Sequence, residues 1–405
     1  MMLYKRKNIF LFLLVLFFFS CATQPVLRDR DAAERIPSVV PPGDDPSVSL
    51  PSEGKEPAVH YLTIIAAGDN LVHDPILRAG FKNKTFSFDS IFDEIRHYIQ
   101  PADISFINQE TILGNETIGY SGYPHFSTPP EMGAALVSAG FNVINHANNH
   151  AMDKGEQGLL SSMDYWDTHK TVRYLGIHRS EDDRKIRPVI LSRNNINVGF
   201  LSYTYGTNGI ALPEGKPFFV SLIESEKMTE EINALRPLCD YLVVSMHWGE
   251  EYQEVYSKNQ ETLAFLLAEH GVDLVLGHHP HVLQPFSVIN RAGGKSMNVF
   301  YSMGNFLSAH AQPPKEALLG GLAYIKIKKT GGETSVEESG IIPTITHYNA
   351  DQSGFTIYPL TEYTEELAEK HWKRKYDREM KLSFFTKKAH DFFGPALILE
   401  NPFTR

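Results

Sequence analysis

Five short apolar runs in this chain each lead into a side chain that can ligate a metal or carry a proton, and this recurrence restricts the fold more than any other feature. Residues 61–67 run into Gly68-Asp69, and residues 102–107 into Asn108-Gln109-Glu110-Thr111. Residues 139–144 run into the Asn/His-rich stretch 145–155, 241–246 into His247, and 272–276 into Gly277-His278-His279-Pro280-His281. Short runs of apolar and β-branched residues read as buried strands. A strand ending in polar groups delivers them to its C-terminal edge, where open α/β sheets place their ligands.

Helical periodicity fills the intervals. Residues 88–98 put Ile91, Phe92, Ile95 and Tyr98 on one face and stop before Pro101. A helix entered near Thr128 carries Met132, Leu136 and Val137 and is capped by Gly140; another starts at Gly155, and others are expected over 224–236 and 262–270. Further strands are expected at 172–175, 188–191, 196–203 and 297–301, with Asn194-Asn195 as a hairpin turn and 206–219 as a loop able to cover a pocket. Strands alternating with helices predict an α/β fold with a mostly parallel or mixed sheet.

Taken singly, the strand-end groups have plain structural explanations: Asp69 as a helix cap, Asn108 and Glu110 as turn residues, His247 as a buried histidine with satisfied hydrogen bonds. Their joint placement is hard to explain that way. Strand alternation points Asn108 and Glu110 to one side, and it makes His279 and His281 the co-facing pair with His278 turned away. His73 lies close enough to Asp69 to be a second ligand. Carboxylates, amide oxygens and imidazoles together suit a pair of divalent ions, Mn, Fe, Zn or Mg, better than a thiolate-bound zinc.

The N-terminus reads as an export leader. Lys5, Arg6 and Lys7 precede the apolar run 9–19, which is too short to span a hydrocarbon core of about 30 Å. Ser20-Cys21 is similar to a bacterial lipobox, which makes Cys21 the expected lipid attachment site and a membrane of the bacterial envelope the expected location. Residues 21–58, rich in Pro, Ser, Asp and Glu, read as a disordered spacer. Loss of residues 1–20 with their three basic groups moves the formal charge from −10 to −13, which argues against nucleic acid as a partner. Cys239 would then remain as a buried small hydrophobe, with no disulfide.

The ordered motifs Gly68-Asp69, Asn108-Gln109-Glu110-Thr111, residues 147–155, residues 247–252, residues 277–281 and Ser302-Met303-Gly304-Asn305-Phe306 resemble those of the CapA family, the capsule or poly-γ-glutamate synthesis proteins. The resemblance spans roughly residues 61–330. The family is similar to calcineurin-like metallophosphoesterases, which implies a layered α/β/β/α sandwich. By that analogy Asp69 and His281 would hold one metal, and Asn149, His247 and His279 the other. Glu110 would bridge them, with Asn108 beside it as a further metal-binding residue. His150 would be the catalytic histidine, oriented by Asp153, and Asn305 would border the site. The sequence departs from the wider phosphoesterase pattern at Leu71, where a ligand His would stand, and in having Glu rather than Asp as the bridge.

The resemblance implies an anionic or phosphorylated substrate, with poly-γ-glutamate and its synthesis machinery as partners. The competing expectation is an anionic-polymer-binding or assembly factor without turnover. The domain is expected over 59–330 and a C-terminal extension packing on it over 331–405. Within that extension a hairpin or loop is expected at 331–338, a sheet-extending segment at 341–345, and a solvated helix at 364–381.

Overall fold

The apolar runs form two mixed β-sheets in a computed structural model that describes residues 57–186, 189–310 and 312–404. The expected leader 1–20, Cys21 and all but the last two residues of the expected spacer lie outside the described residues. In chain order the sheet strands are β1 (Val59–Asn70), β2 (Ile104–Gln109), β3 (Val143–Asn145), β4 (Arg173–Leu175), β5 (Val189–Arg193), β6 (Ile196–Thr204) and β7 (Tyr241–His247). They continue with β8 (Leu274–His278), β9 (Phe286–Asn290), β10 (Ser296–Phe300), β11 (Asn305–Leu307), β12 (Leu319–Thr330), β13 (Glu333–His347) and β14 (Thr356–Pro359). One sheet runs β14-β13-β12-β1-β2-β3-β4, with β11 also paired to β1; the other runs β9-β10-β8-β7-β6-β5.

Both sheets are parallel at the centre and antiparallel at an edge. β1, β2, β3 and β4 pair in parallel, as do β6, β7, β8 and β10. Parallel strands are covered on both faces, which is why β2 and β7 are apolar and buried almost without alternation. Between the sheets Phe106 of β2 stacks on Phe200 of β6 at 6.5 Å and on His278 of β8 at 5.8 Å. Helices α1 (Pro130–Ala139) and α2 (Gly155–Asp167) add Met132, Leu136, Leu159, Met163 and Trp166 to the core of the first sheet. Helices α3 (Ser225–Leu235) and α4 (Lys258–Glu269) bury Met228, Ile232, Leu263 and Leu267 against Leu242, Val244 and Val275 of the second. The architecture is therefore the expected α/β/β/α sandwich.

Parallel pairing sends the C-terminal ends of β1, β2, β3, β7 and β8 to one edge, and two glycines let them converge there. A Cβ on Gly68 would lie 2.0 Å from the Gly304 carbonyl oxygen, and one on Gly277 would lie 2.0 Å from that of Tyr301. Backbone cannot yield as a flexible side chain would, so Gly277→Ala is expected to destabilise the fold by about 1–3 kcal/mol. A urea midpoint equal to that of the unsubstituted protein would contradict the close approach.

Several local expectations need correction. The helix expected at 88–98 is a 3-10 turn, Asp89–Phe92, and a short helix, Arg96–Ile99. Its apolar side chains are buried as expected, so tertiary packing rather than helix propensity sets the backbone there. Helix α4 starts at Lys258 rather than 262, because Ser257 and Gln260 form a reciprocal capping box. The charged segment 364–381 breaks at His371, which is buried and bonded to the Thr346 carbonyl at 3.2 Å. The expected turn at Asn194-Asn195 is present, with φ of +50° and +60°, as a type I′ hairpin requires.

The boundary expected at 330/331 falls inside a β-hairpin. β12 and β13 pair from Leu319↔Ile345 to Thr330↔Glu333, and Ile341, Ile345, Phe385 and Phe393 belong to the same core as β1. The segment after 330 thus supplies sheet and core, because the edge of β12 needs a partner for its backbone groups.

Candidate metal centre

Asp69 is the group around which the convergent strand ends are arranged. It sits at the end of β1, fully buried, and accepts from Asn108 Nδ2 at 2.8 Å and from the His279 backbone N–H at 3.1 Å. His281 Nδ1 lies 3.1 Å from one of its oxygens and His278 Nδ1 3.2 Å from the other. Burial by itself would raise this carboxyl, but the hydrogen bonds and charge of His278 and His281 outweigh it and hold Asp69 well below the usual carboxylate range.

Glu110 faces the opposite situation. Burial, and then the negative charges of Asp69 and Glu251, push its carboxyl well above the usual range. Neither of its oxygens meets hydrogen-bond geometry with any donor. The nearest ring nitrogens are His247 Nε2 at 3.4 Å and His281 Nε2 at 3.8 Å. A buried carboxylate in that condition is costly unless a cation offsets it.

Two of the imidazoles, His247 and His279, are held toward the neutral form, the one that binds metals. Burial, then the neighbouring His279, depresses His247 well below its ordinary value. Burial, then His281, lowers His279 to about 3. His247 and His279 lie 4.9 Å apart by ring centroid, and His279 Nδ1 has no hydrogen-bond partner. Two overlapping sets place one ligand atom per residue within 4.8 Å of one another: Glu110, His247 and His279, and Asp69, Glu110 and His281. A third set, Glu251, His279 and His281, uses a carboxylate the sequence reading did not single out. Orphaned carboxylate oxygens facing neutral imidazoles fit divalent cations.

Other expected site residues are placed as follows. Asn149 lies beside His247, its Oδ1 2.9 Å from His247 Nε2. Asn108 differs from the expected ligand role: its Oδ1 accepts from Asn145 at 2.9 Å while its Nδ2 holds Asp69. Its oxygen is thus engaged with protein, and Asn108 reads as a group that positions the carboxylate. Asn305 donates to the carbonyls of His281 at 3.2 Å and Ala317 at 3.0 Å, tying the histidine loop to β11. His150 Nδ1 is 2.8 Å from Asp153 Oδ2, which also accepts from the Phe126 N–H at 2.7 Å. His150 belongs to none of the three sets.

His278 does not turn away as strand alternation predicted. It closes β8 fully buried against Asp69. The reason is local: His279 and His281 adopt φ of +94° and +60°, so the alternation rule fails at the strand's end. His73 is outside the sets as well, with Nδ1 3.2 Å from the Leu71 carbonyl. His310, which nothing in the sequence distinguished, packs 5.2 Å from His281 and shares a 3.2 Å bond with the Tyr252 hydroxyl.

His146 shows the structural use of a histidine in the same stretch. It accepts from Trp166 Nε1 at 2.7 Å, and burial lowers its pKa from 6.5 to about 3; His371 is lowered to about 3 by burial, then by the charge of His347. Both are neutral when folded, so their contribution is complete above the unfolded value of 6.5 and is lost as pH falls toward 3. Each should cost up to about 1.4 kcal/mol per pH unit across that window. Denaturant midpoints at pH 7.5 and pH 5 check this, and His146→Gln should flatten the dependence.

A family model described as "Bacterial capsule synthesis protein PGA_cap" matches residues 63–310. The chain belongs to this family. All five strand-end motifs lie within the PGA_cap match, and β12 and β13 complete the sheet beyond it. Two relatives of this PGA_cap chain are the PGA biosynthesis protein CapA of Bacillus subtilis and the capsule biosynthesis protein CapA of Bacillus anthracis. The first is 32% identical over 45% of this chain and 47% of the relative; the second is 30% identical over 55% and 54%. The PGA_cap chain thus spans about half the length of these curated relatives. Among solved structures, the calcineurin-like phosphoesterase YfkN from Bacillus subtilis is similar at 14% identity and a TM-score of 0.41, covering 81% of this chain and 100% of that one.

Proposed function

We propose that this PGA_cap protein is a metal-dependent phosphoester hydrolase of the bacterial envelope, acting in capsule or poly-γ-glutamate synthesis or export. The observation that carries the hydrolytic reading is His150: a histidine at the centre, outside the ligand sets, held by Asp153 at 2.8 Å. In this reading Asp69 and His281 hold one divalent ion and Asn149, His247 and His279 a second, with Glu110 shared. Bound there, the ions would supply Lewis acidity toward phosphoryl oxygens and a nucleophile drawn from water.

The chain's own residues account for the rest. Asn108 and the His279 N–H fix the Asp69 carboxylate, and Asn305 fixes the loop that carries His281. With Nδ1 engaged by Asp153, His150 has Nε2 left to protonate a leaving alkoxide or hold a phosphoryl oxygen. Phe126 packs edge-on to the His150 ring at 4.7 Å and restricts its rotation. The leader pattern and Cys21 support attachment to a membrane through a lipid, and an anionic or phosphorylated substrate suits a centre built to hold cations. Among the described residues no helix is long and apolar enough to cross a membrane.

The test is hydrolysis of an aryl phosphodiester and an aryl phosphomonoester by the metal-loaded protein, with and without chelator. Turnover abolished by chelator supports the reading. Retained metal without turnover of either ester overturns it in favour of anionic-polymer binding, the role in assembly that the names of the two CapA relatives accommodate equally.

A further inference from the structure

The loop after β7 is bound down onto the histidine loop. The Trp248 N–H donates to the His278 carbonyl at 3.1 Å, and the Tyr252 N–H donates to that of Pro280 at 2.7 Å. Tyr252 adopts φ of +62°, in the left-handed region that a bulky aromatic residue rarely enters. Backbone held in such a region is costly and persists where the surroundings over-determine it. Here they do, since the Tyr252 ring lies 6.1 Å from that of His281 and its hydroxyl bonds His310.

This anchoring fixes the direction of the preceding residue. Glu251 is exposed, yet one of its oxygens and one ring nitrogen each of His279 and His281 lie within 4.8 Å of one another. His279 is 4% exposed and its Nδ1 has no hydrogen-bond partner. Glu250, its neighbour and also exposed, belongs to no ligand set.

We infer that Glu251 is an additional, solvent-facing ligand of the centre, completing the coordination of the divalent cation held by His279 or of that held by His281. This rests on the metal-centre reading above. The same imidazoles serve the two inner sets, so the carboxylate acts as an exchangeable arm. It occupies an outward position in the absence of substrate and yields that position to an incoming anion of like charge, such as a phosphoryl group. A buried carboxylate could not leave without stranding its charge, whereas an exposed one returns to water.

The test is calorimetric titration of the metal-stripped protein with Mn2+, followed by titration of the loaded protein with inorganic phosphate, for the unsubstituted protein, Glu251→Gln and Glu250→Gln. Glu251→Gln is expected to weaken Mn2+ binding by about 10-fold or more and to tighten phosphate binding. Glu250→Gln removes the same charge without a ligand and should leave both within about twofold, a difference that separates ligation from the general field of the loop. Equal effects of the two substitutions, or Mn2+ affinity unchanged in Glu251→Gln, overturn the inference and leave the metal centre standing. No Mn2+ uptake by the unsubstituted protein overturns both. Far-UV circular dichroism confirms that the exposed substitutions leave the fold intact.

Discussion

Replacing His150 with Ala should lower kcat on an aryl phosphodiester by about 100-fold to 10,000-fold, the contribution of a positioned acid or base, while leaving metal content unchanged. The two readouts separate because His150 stands outside every ligand set. Its Nδ1 contact is to Asp153, and its ring packs edge-on to Phe126. KM should move little, since the group acts on charge that develops in the transition state. Elemental analysis of the same preparations decides the matter. Loss of metal and activity together would make His150 a support for the centre, and unchanged kcat would remove it from the mechanism.

Asp69→Ala should instead empty the centre, weakening divalent-cation binding by at least about 100-fold, the upper end of what even an indirect supporting residue contributes. Four groups depend on this carboxylate: the Asn108 amide, the His279 N–H, and the rings of His278 and His281. Its removal takes away one ligand, frees the His279 loop, and leaves Glu110 as the remaining buried carboxylate of the Asp69, Glu110 and His281 set. His279→Ala, which removes a ring from one inner set and from the outer one, is the companion variant. Metal stoichiometry equal to that of the unsubstituted protein in both variants would refute the proposed ligand roles. A cooperative thermal transition in either shows that metal loss is not a consequence of unfolding.

Much of this centre is legible before folding is considered. Each strand is a short apolar run, and a polar group directly after such a run must lie near the strand's C-terminal end whatever the tertiary details. The same holds for the Asn194-Asn195 hairpin and the Gly140 cap, where a local backbone requirement selects the residue type. What failed were rules applied one residue past their range. Alternation turned His278 away because it assumed an extended backbone through His281, and positive φ at His279 and His281 removes that assumption. Helical spacing at 88–98 identified the buried side chains but not the broken backbone that buries them. A boundary set at 330 by the extent of the family resemblance cut through a hairpin, since the charged, glycine-containing turn marks a change of direction rather than the end of a core.

By itself the sequence determined the five strands that carry the site, that their polar ends are rich in metal-competent groups, and which family the chain resembles. Only the tertiary structure decided how those groups are shared. Asn108 is committed to Asp69 and Asn145, His146 to Trp166, His150 to Asp153, while Glu110 keeps two unpartnered oxygens. Each of these pairings joins residues distant in the sequence or is fixed by a local backbone bend. The reason is physical: residue type sets what a side chain can bond, but burial and the nearest partner set what it does bond, and the two sheets create that environment only once they close on each other.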